Sequence, residues 1–204
     1  MTEPQISVGI LSAQKINFTL LESFQYEKEE LAKGDYSARI SDGKIDFNGN
    51  LHSEVIIEAK DIHSSSFELK DVVIGINFHW ERKEDQQFKG HLKLMVENDM
   101  ITAINIVSLE DYLISVISSE MSASSSEELL KTHAVISRSW LLAQIEKNKT
   151  VETENKPYKT NFEKGNEITR WWDREDHDNF DVCADDHCQR YQGITKQSSE
   201  LVAE

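Results

Sequence analysis

From Ile6 to about Ile106 the apolar residues come in short runs of strand length, such as Ile6-Ser7-Val8-Gly9-Ile10 and Val72-Val73-Ile74-Gly75-Ile76, broken by turn residues. This spacing predicts β-structure for the first half of the chain. Ser41-Asp42-Gly43-Lys44, between Tyr36-Ser37-Ala38-Arg39-Ile40 and Ile45-Asp46-Phe47, predicts a hairpin, because Asp-Gly readily takes the positive φ angles of a tight turn. A second strand pair is predicted over Gln87 to Val96 and Ile101 to Val107, turning at Glu97-Asn98-Asp99. Together these strands suggest a small sheet or an open barrel.

The pattern changes at Ser108, where Ser108-Leu109-Glu110-Asp111 offers an N-cap hydroxyl followed three residues later by a carboxylate. Leu109, Tyr112, Leu113, Val116 and Ile117 then fall on one apolar stripe of a helix that ends near Met121. The serine-rich stretch Ser122 to Ser126 supplies the next cap, Ser125 with Glu128, for a longer helix from about Ser126 to Lys147. Between Thr132 and Ile145 that helix is apolar almost all round, with Arg138 its only permanent charge, which predicts burial. Asn148 to Thr169 is polar and without periodicity and reads as a long loop or insertion. The fold class expected is α+β: a β-rich region over residues 1–107, then a helical segment and a Cys/His segment over residues 108–204.

Composition fits a folded chain: 38% hydrophobic and 29% charged residues, with two Pro and eight Gly in 204 residues. The formal charge of −15 disfavours phosphate backbones and anionic membrane faces, so no nucleic-acid partner is expected. No run approaches membrane-spanning length, so no transmembrane segment is expected. The opening residues lack the basic start and apolar run of a secretory signal.

Glu120 lies eleven positions after Leu109 and so returns to nearly the same angle on the helix, placing a carboxylate at the end of an apolar stripe. A partly buried carboxyl there would suit general acid catalysis on a glycosidic oxygen; the alternative is a frayed helix end with Glu120 in water or capping the next helix. Arg138 needs an anion, with Glu120, Glu110 and Asp111 as candidates beside a substrate contact, and His133 has the alternative of a core histidine bonded to a carbonyl. His177, Cys183, His187 and Cys188 place four soft or borderline ligands within twelve residues, a set suited to tetrahedral zinc. A disulfide across so short a loop is the alternative. Adjacent His187 and Cys188 would face opposite ways on a strand, so joint ligation requires a turn, or one histidine stays outside the set.

Leu109-Glu-Asp-Tyr-Leu-Ile-Ser-Val-Ile-Ser-Ser-Glu120-Met121 resembles the SpoIID signature, in which a Leu-Glu-Asp-Tyr-Leu helix runs into Ser-Glu-Met. Leu130-Lys-Thr-His-Ala-Val-Ile-Ser-Arg138-Ser-Trp140 resembles the helix Lys-Ala-Gln-Ala-Val-Ala-Ala-Arg-Thr-Tyr of the same SpoIID/LytB family. Asp181 to Gly193 is similar to the family's Cys/His segment ending in Tyr-x-Gly, here Tyr191-Gln192-Gly193. The first hundred residues also look like the amino-terminal part of Bacteroides-type members.

The resemblance implies a peptidoglycan lytic transglycosylase that cleaves MurNAc-GlcNAc strands to 1,6-anhydromuramyl ends. Glu120 would be the acid/base, Arg138 and Tyr191 further catalytic-site residues, and Zn2+ the metal on His177, Cys183, His187 and Cys188. The implied partners are peptidoglycan glycan strands and, from the LytB side of the family, an amidase. A non-catalytic wall-binding or amidase-enhancing module is the rival reading, and an inactive zinc-stapled fragment a third. The implied location is the cell envelope or outside the cell, with the cytoplasm left open by the missing signal. Two departures stand out: Ser122 occupies a position where many members carry Pro, and Leu201-Val-Ala-Glu204 ends where members continue, which suggests a truncated or short form.

Overall fold

The computed structural model describes residues 3–76, 78–122, 124–154, 161–165, 167–170, 177–196 and 199–203. In chain order the first strands are β1 (Gln5–Ala13), β2 (Lys15–Leu20), β3 (Phe24–Tyr26), β4 (Glu29–Leu31), β5 (Gly34–Ser41) and β6 (Lys44–Phe47). β7 (Asn50–His52), β8 (Glu54–Ile57), β9 (Ser66–Ile74), β10 (Arg82–Lys89), β11 (His91–Glu97) and β12 (Met100–Ser108) follow. The remainder is α1 (Leu109–Glu120), α2 (Glu127–Glu154), β13 (Asn161–Lys164), β14 (Glu167–Arg170), β15 (Val182–Cys183) and α3 (Glu200–Ala203).

The β-rich half expected from the sequence is present: a five-stranded sheet, β15-β1-β12-β11-β8, and a six-stranded sheet, β10-β9-β2-β5-β6-β7, with β3-β4 and β13-β14 as two-stranded pairs. Apolar residues of both sheets, such as Phe18 and Phe67 from one and Val8 and Leu94 from the other, share one core with Tyr112 and Val116 of α1. The Asp42-Gly43 hairpin forms as expected, with φ of 51° and 70° at the two turn residues. Asn98 and Asp99 do the same, at 49° and 59°, between β11 and β12.

The single strand expected over Gln87 to Val96 is broken at Gly90. β10 pairs with β9 in one sheet and β11 with β12 in the other, so the chain crosses between sheets at this glycine. Gly90 has φ +90°, and a Cβ there would lie 2.2 Å from the carbonyl oxygen of Ile106, so only glycine fits without displacement.

α1 begins where the cap predicts: Ser108 Oγ accepts from the Asp111 N–H at 3.2 Å, and the helix ends at the Met121 C-cap. Leu109, Tyr112, Leu113, Val116 and Ile117 are all buried. α2 departs from expectation in three ways. Its cap is Ser126, whose hydroxyl accepts from the Leu129 N–H, one residue after the one predicted. It buries only a stripe, including Leu130, Ser137 and Leu141, while Val135, Ile136 and Leu142 are 64%, 61% and 46% exposed. It also continues to Glu154, and β13 and β14 pair antiparallel, so the described residues of the stretch expected as a loop are mostly in regular elements. The apolar pattern stops before Lys147, yet a helix needs no stripe to continue, only adequate propensity. Among the described residues no helix is long and apolar enough to cross a membrane.

Candidate functional site

Three segments meet at Glu120: the end of α1, the second turn of α2, and residues 177–193. The last of these is laid against β1. Val182 and Cys183 pair parallel with Val8 and Gly9, and Asp181 accepts from both the Ser7 N–H (2.8 Å) and the Ser7 hydroxyl (2.7 Å). The Phe180 ring lies so close over Gly9 that a Cβ there would come within 2.6 Å of it. Further on, Ile194 donates to the Gln87 carbonyl at 2.8 Å, which ties the segment to β10.

The Glu120 carboxylate is held at both oxygens. Oε1 accepts from the Arg190 backbone N–H at 3.0 Å, and Oε2 lies 3.0 Å from His133 Nε2. Glu120 keeps 28% of its side-chain surface exposed and His133 13%, so the carboxyl is reachable from solvent while its partner is mostly covered. The helix does not fray before Glu120, nor does the carboxylate cap α2. Arg190 reaches outward: its guanidinium pairs with Asp186 at 3.2 Å and sits 5.4 Å from the Trp80 ring centroid. Trp80 in turn stacks on Phe78 at 5.3 Å, and Phe78 is 52% exposed.

Arg138 is not brought to Glu120. It is 44% exposed and pairs with Glu110 across the α1–α2 contact, one of the partners weighed for it. It also lines a groove of about 620 Å³ between α1, α2 and α3, with Leu113, Ile117, Leu130 and Val202. The charge is carried at the edge of α2, so the buried guanidinium implied by an all-round apolar helix does not arise.

Tyr191 is 2% exposed and stacks on Tyr112 with ring centroids 5.0 Å apart. Its hydroxyl donates to Asn105 Oδ1 at 2.6 Å, and Asn105 Nδ2 donates to the carbonyls of Lys89 and His91 at 2.7 and 3.2 Å, one on each side of Gly90. Burial, with the Asp111 charge a lesser cause, pushes the Tyr191 phenol well above its ordinary range and keeps it a donor. The Tyr112 hydroxyl donates to Gln189 Oε1 at 3.2 Å. Tyr191 is thus placed beneath the segment that holds Glu120, with its hydroxyl turned into the core.

His177, Cys183, His187 and Cys188 converge. Their ligand atoms all lie within 4.8 Å of one another, and no disulfide joins the cysteines. Cys188 Sγ is 3.5 Å from both His177 Nε2 and His187 Nδ1, and Cys183 Sγ is 3.8 Å from His187 Nδ1. Tetrahedral zinc with ordinary bond lengths would hold sulfur and nitrogen about 3.6 Å apart, so the donor set fits such an ion. The turn needed for adjacent His187 and Cys188 is present, closed by the Cys188 N–H on the Asp185 carbonyl at 3.0 Å. Hydrogen bonding with Cys188 outweighs burial and, with His177, the Asp185 backbone and His187, takes the Cys183 thiol down to about 3, the thiolate form a metal requires. Cys188 lies two residues before Arg190, so the ligand cluster and the Glu120 clamp share one short stretch of backbone.

A profile of the SpoIID family, described as stage II sporulation protein, matches residues 97–203. The chain belongs to the SpoIID family. The SpoIID segment runs from the end of β11 through α3 and contains Glu120, His133, Arg138, the four metal-site residues and Tyr191. Family membership ties the chain to the cell wall and to peptidoglycan processing. No curated protein and no solved structure matches the chain.

The His133 contact and the Arg190 N–H are the parts of the site that sequence reasoning left open or missed. Backbone donors have no residue-type signature. The nearest available signal was His133 itself, a titratable side chain on the second of two linked motifs.

Proposed function

We propose that the chain is a lytic transglycosylase of peptidoglycan glycan strands, with Glu120 as its general acid and base. The observation that carries this reading is a single carboxyl, oriented at both oxygens and still open to solvent, at the end of α1. In its acid form Glu120 protonates the glycosidic oxygen as the bond to C1 of the muramyl residue breaks. As carboxylate it then takes the proton of the muramyl C6 hydroxyl, whose oxygen closes on C1 to give the 1,6-anhydro ring. The substrate supplies its own nucleophile, so the second carboxylate of a hydrolase is not required. The Arg190 guanidinium and the Phe78–Trp80 stack it lies against, exposed at Phe78, offer a polar and aromatic surface on which sugar rings can lie.

Zinc is the metal we propose for His177, Cys183, His187 and Cys188. Four protein ligands would close its coordination, so its contribution is structural: it would fix the backbone from which Arg190 holds Glu120. An envelope or extracellular location and an amidase partner remain part of the proposal, since they follow from the substrate and the family. Mass spectrometry of intact and peptide-stripped peptidoglycan after digestion, comparing the wild type with Glu120→Gln, tests the reading. Anhydromuramyl ends from the wild type alone support it. Glycan binding with no product from either protein would favour a wall-binding or amidase-enhancing module.

A further inference from the structure

We infer that a fork between β2 and β9 is a subsite for the stem peptide of peptidoglycan, the short carboxylate-bearing peptide that a muramyl residue carries. The inference rests on the glycan-strand reading above and names the part of that substrate the fork takes. The fork originates at one residue. The β2–β9 ladder joins residues 18–20 to residues 67–69 and goes no further. Just past it Asp71 takes φ +57°, and the β9–β10 register shifts between Glu84 and Gln86. A left-handed residue at such a bulge bends its strand, so β9 turns aside with β10 while β2 continues along β5. Residues 15–17 of β2 and 72–74 of β9 are each left with one edge outside any ladder among the described residues.

The gap is a cleft of about 410 Å³, within the usual size of a small-ligand site. Its apolar lining comes from Ile10, Leu11, Ala13, Val73 and Ile76, the last of these 47% exposed. Lys15, Lys70 and Lys83 line it together with Asp71 and Glu81, so ammonium groups outnumber carboxylates here in a chain whose net charge is −15. Lys70 is held by Glu68 and Asp85. Lys15 and Lys83 are exposed and have no ion-pair partner among the described residues. A strand edge outside a ladder offers the donors and acceptors that an extended peptide's own amides need, and free ammonium groups suit its carboxylates. A bare glycan strand, whose amides are isolated N-acetyl groups, matches such edges poorly.

The cleft leads back toward the segment that holds Glu120. A smaller hollow shares Ile10, Val73 and Ile76 with it and is also lined by Arg190, Tyr191 and Gln192. Arg190 is the residue whose backbone N–H holds the Glu120 carboxylate. A muramyl residue presented to Glu120 bears its peptide on the lactyl group, and this hollow gives that peptide a course to the fork.

The full chain, labelled with nitrogen-15, is titrated with N-acetylmuramyl-alanyl-γ-glutamyl-diaminopimelate, and with N-acetylmuramic acid as the peptide-free control. The muramyl tripeptide should shift the amide signals of residues 15–17 and 72–74. Lys15→Glu combined with Lys83→Glu, both at exposed positions and checked for an unchanged thermal melt, should weaken its binding by about tenfold, because two exposed charge pairs become repulsive. Absence of binding, shifts confined to other residues, or equal affinity in the wild type and the double variant would overturn the inference. So would N-acetylmuramic acid binding as tightly as the tripeptide, which would assign the cleft to the lactyl carboxylate. Digestion gives a second readout: the double variant should form fewer anhydromuramyl ends from intact peptidoglycan and as many as the wild type from peptide-stripped strands, whereas an equal loss on both would count against the subsite. If the wild type forms no anhydromuramyl ends while the tripeptide binds the fork in a lysine-dependent way, the transglycosylase reading fails and the peptide subsite stands.

Discussion

Replacing Tyr191 by Phe removes one oxygen atom from the core and tests what the tyrosine is for. The ring remains, and with it the stacking on Tyr112 at 5.0 Å, so the loss is confined to the 2.6 Å bond to Asn105. Asn105 is fully buried, and its amide nitrogen is fixed by the Lys89 and His91 carbonyls, so the side chain cannot turn to find its oxygen another partner. A buried acceptor left unsatisfied costs about 1–3 kcal/mol. For a chain of this size a loss of about 2 kcal/mol lowers the melting temperature by roughly 4–8 °C. Urea denaturation of wild type and Tyr191→Phe at fixed pH and metal content, with unchanged m, measures it. Formation of anhydromuramyl ends below the melting range should be altered by less than about threefold, equivalent to under about 1 kcal/mol in the barrier. Two results would refute the reasoning: a stability change within about 0.3 kcal/mol of zero, or loss of product formation without loss of stability. The second would place the hydroxyl on the substrate.

Two further perturbations probe the frame around the site. Stripping metal with a chelator, or Cys183→Ser, should release residues 177–193, seen as faster hydrogen exchange at the Arg190 and Tyr191 amides while the α1 interior stays protected; unchanged protection there would show that the cluster does not brace the Glu120 clamp. Gly90→Ala should destabilise by at least about 2 kcal/mol, since its side chain would demand both a positive φ and the space of the Ile106 carbonyl. A neutral effect in denaturant titration would mean that the crossing between sheets tolerates an ordinary residue.

Where one residue type carries a local rule, the chain was readable. Asp42-Gly43 specified its turn, Ser108 its cap, and the five apolar positions of α1 the face it buries. The position of Glu120 at the end of that stripe was legible for the same reason. The Cys/His cluster was legible because its ligands are few and close in sequence. What escaped depends on contacts between distant segments. The period of two is identical on either side of Gly90, so nothing in the pattern announces that β10 and β11 belong to different sheets. α2 was read as buried from composition alone, yet burial depends on how many faces find neighbours, and Val135 and Ile136 find few. The clamp on Glu120 joins positions 120, 133 and 190, and one of its two donors is a backbone amide.

β1 has one of its neighbours far along the sequence. β1 pairs on one side with β12 and on the other with β15, whose residues lie some 174 positions later, as between Val8 and Val182. During synthesis that edge of the five-stranded sheet therefore stays uncovered until the residues of β15 have emerged. An open edge of this kind can recruit strands from other chains, and pairings between such distant residues form slowly because a large loop must close first. Conditions that favour the convergence of His177, Cys183, His187 and Cys188 would therefore act as a timer on maturation, sealing the exposed edge as the ligands gather.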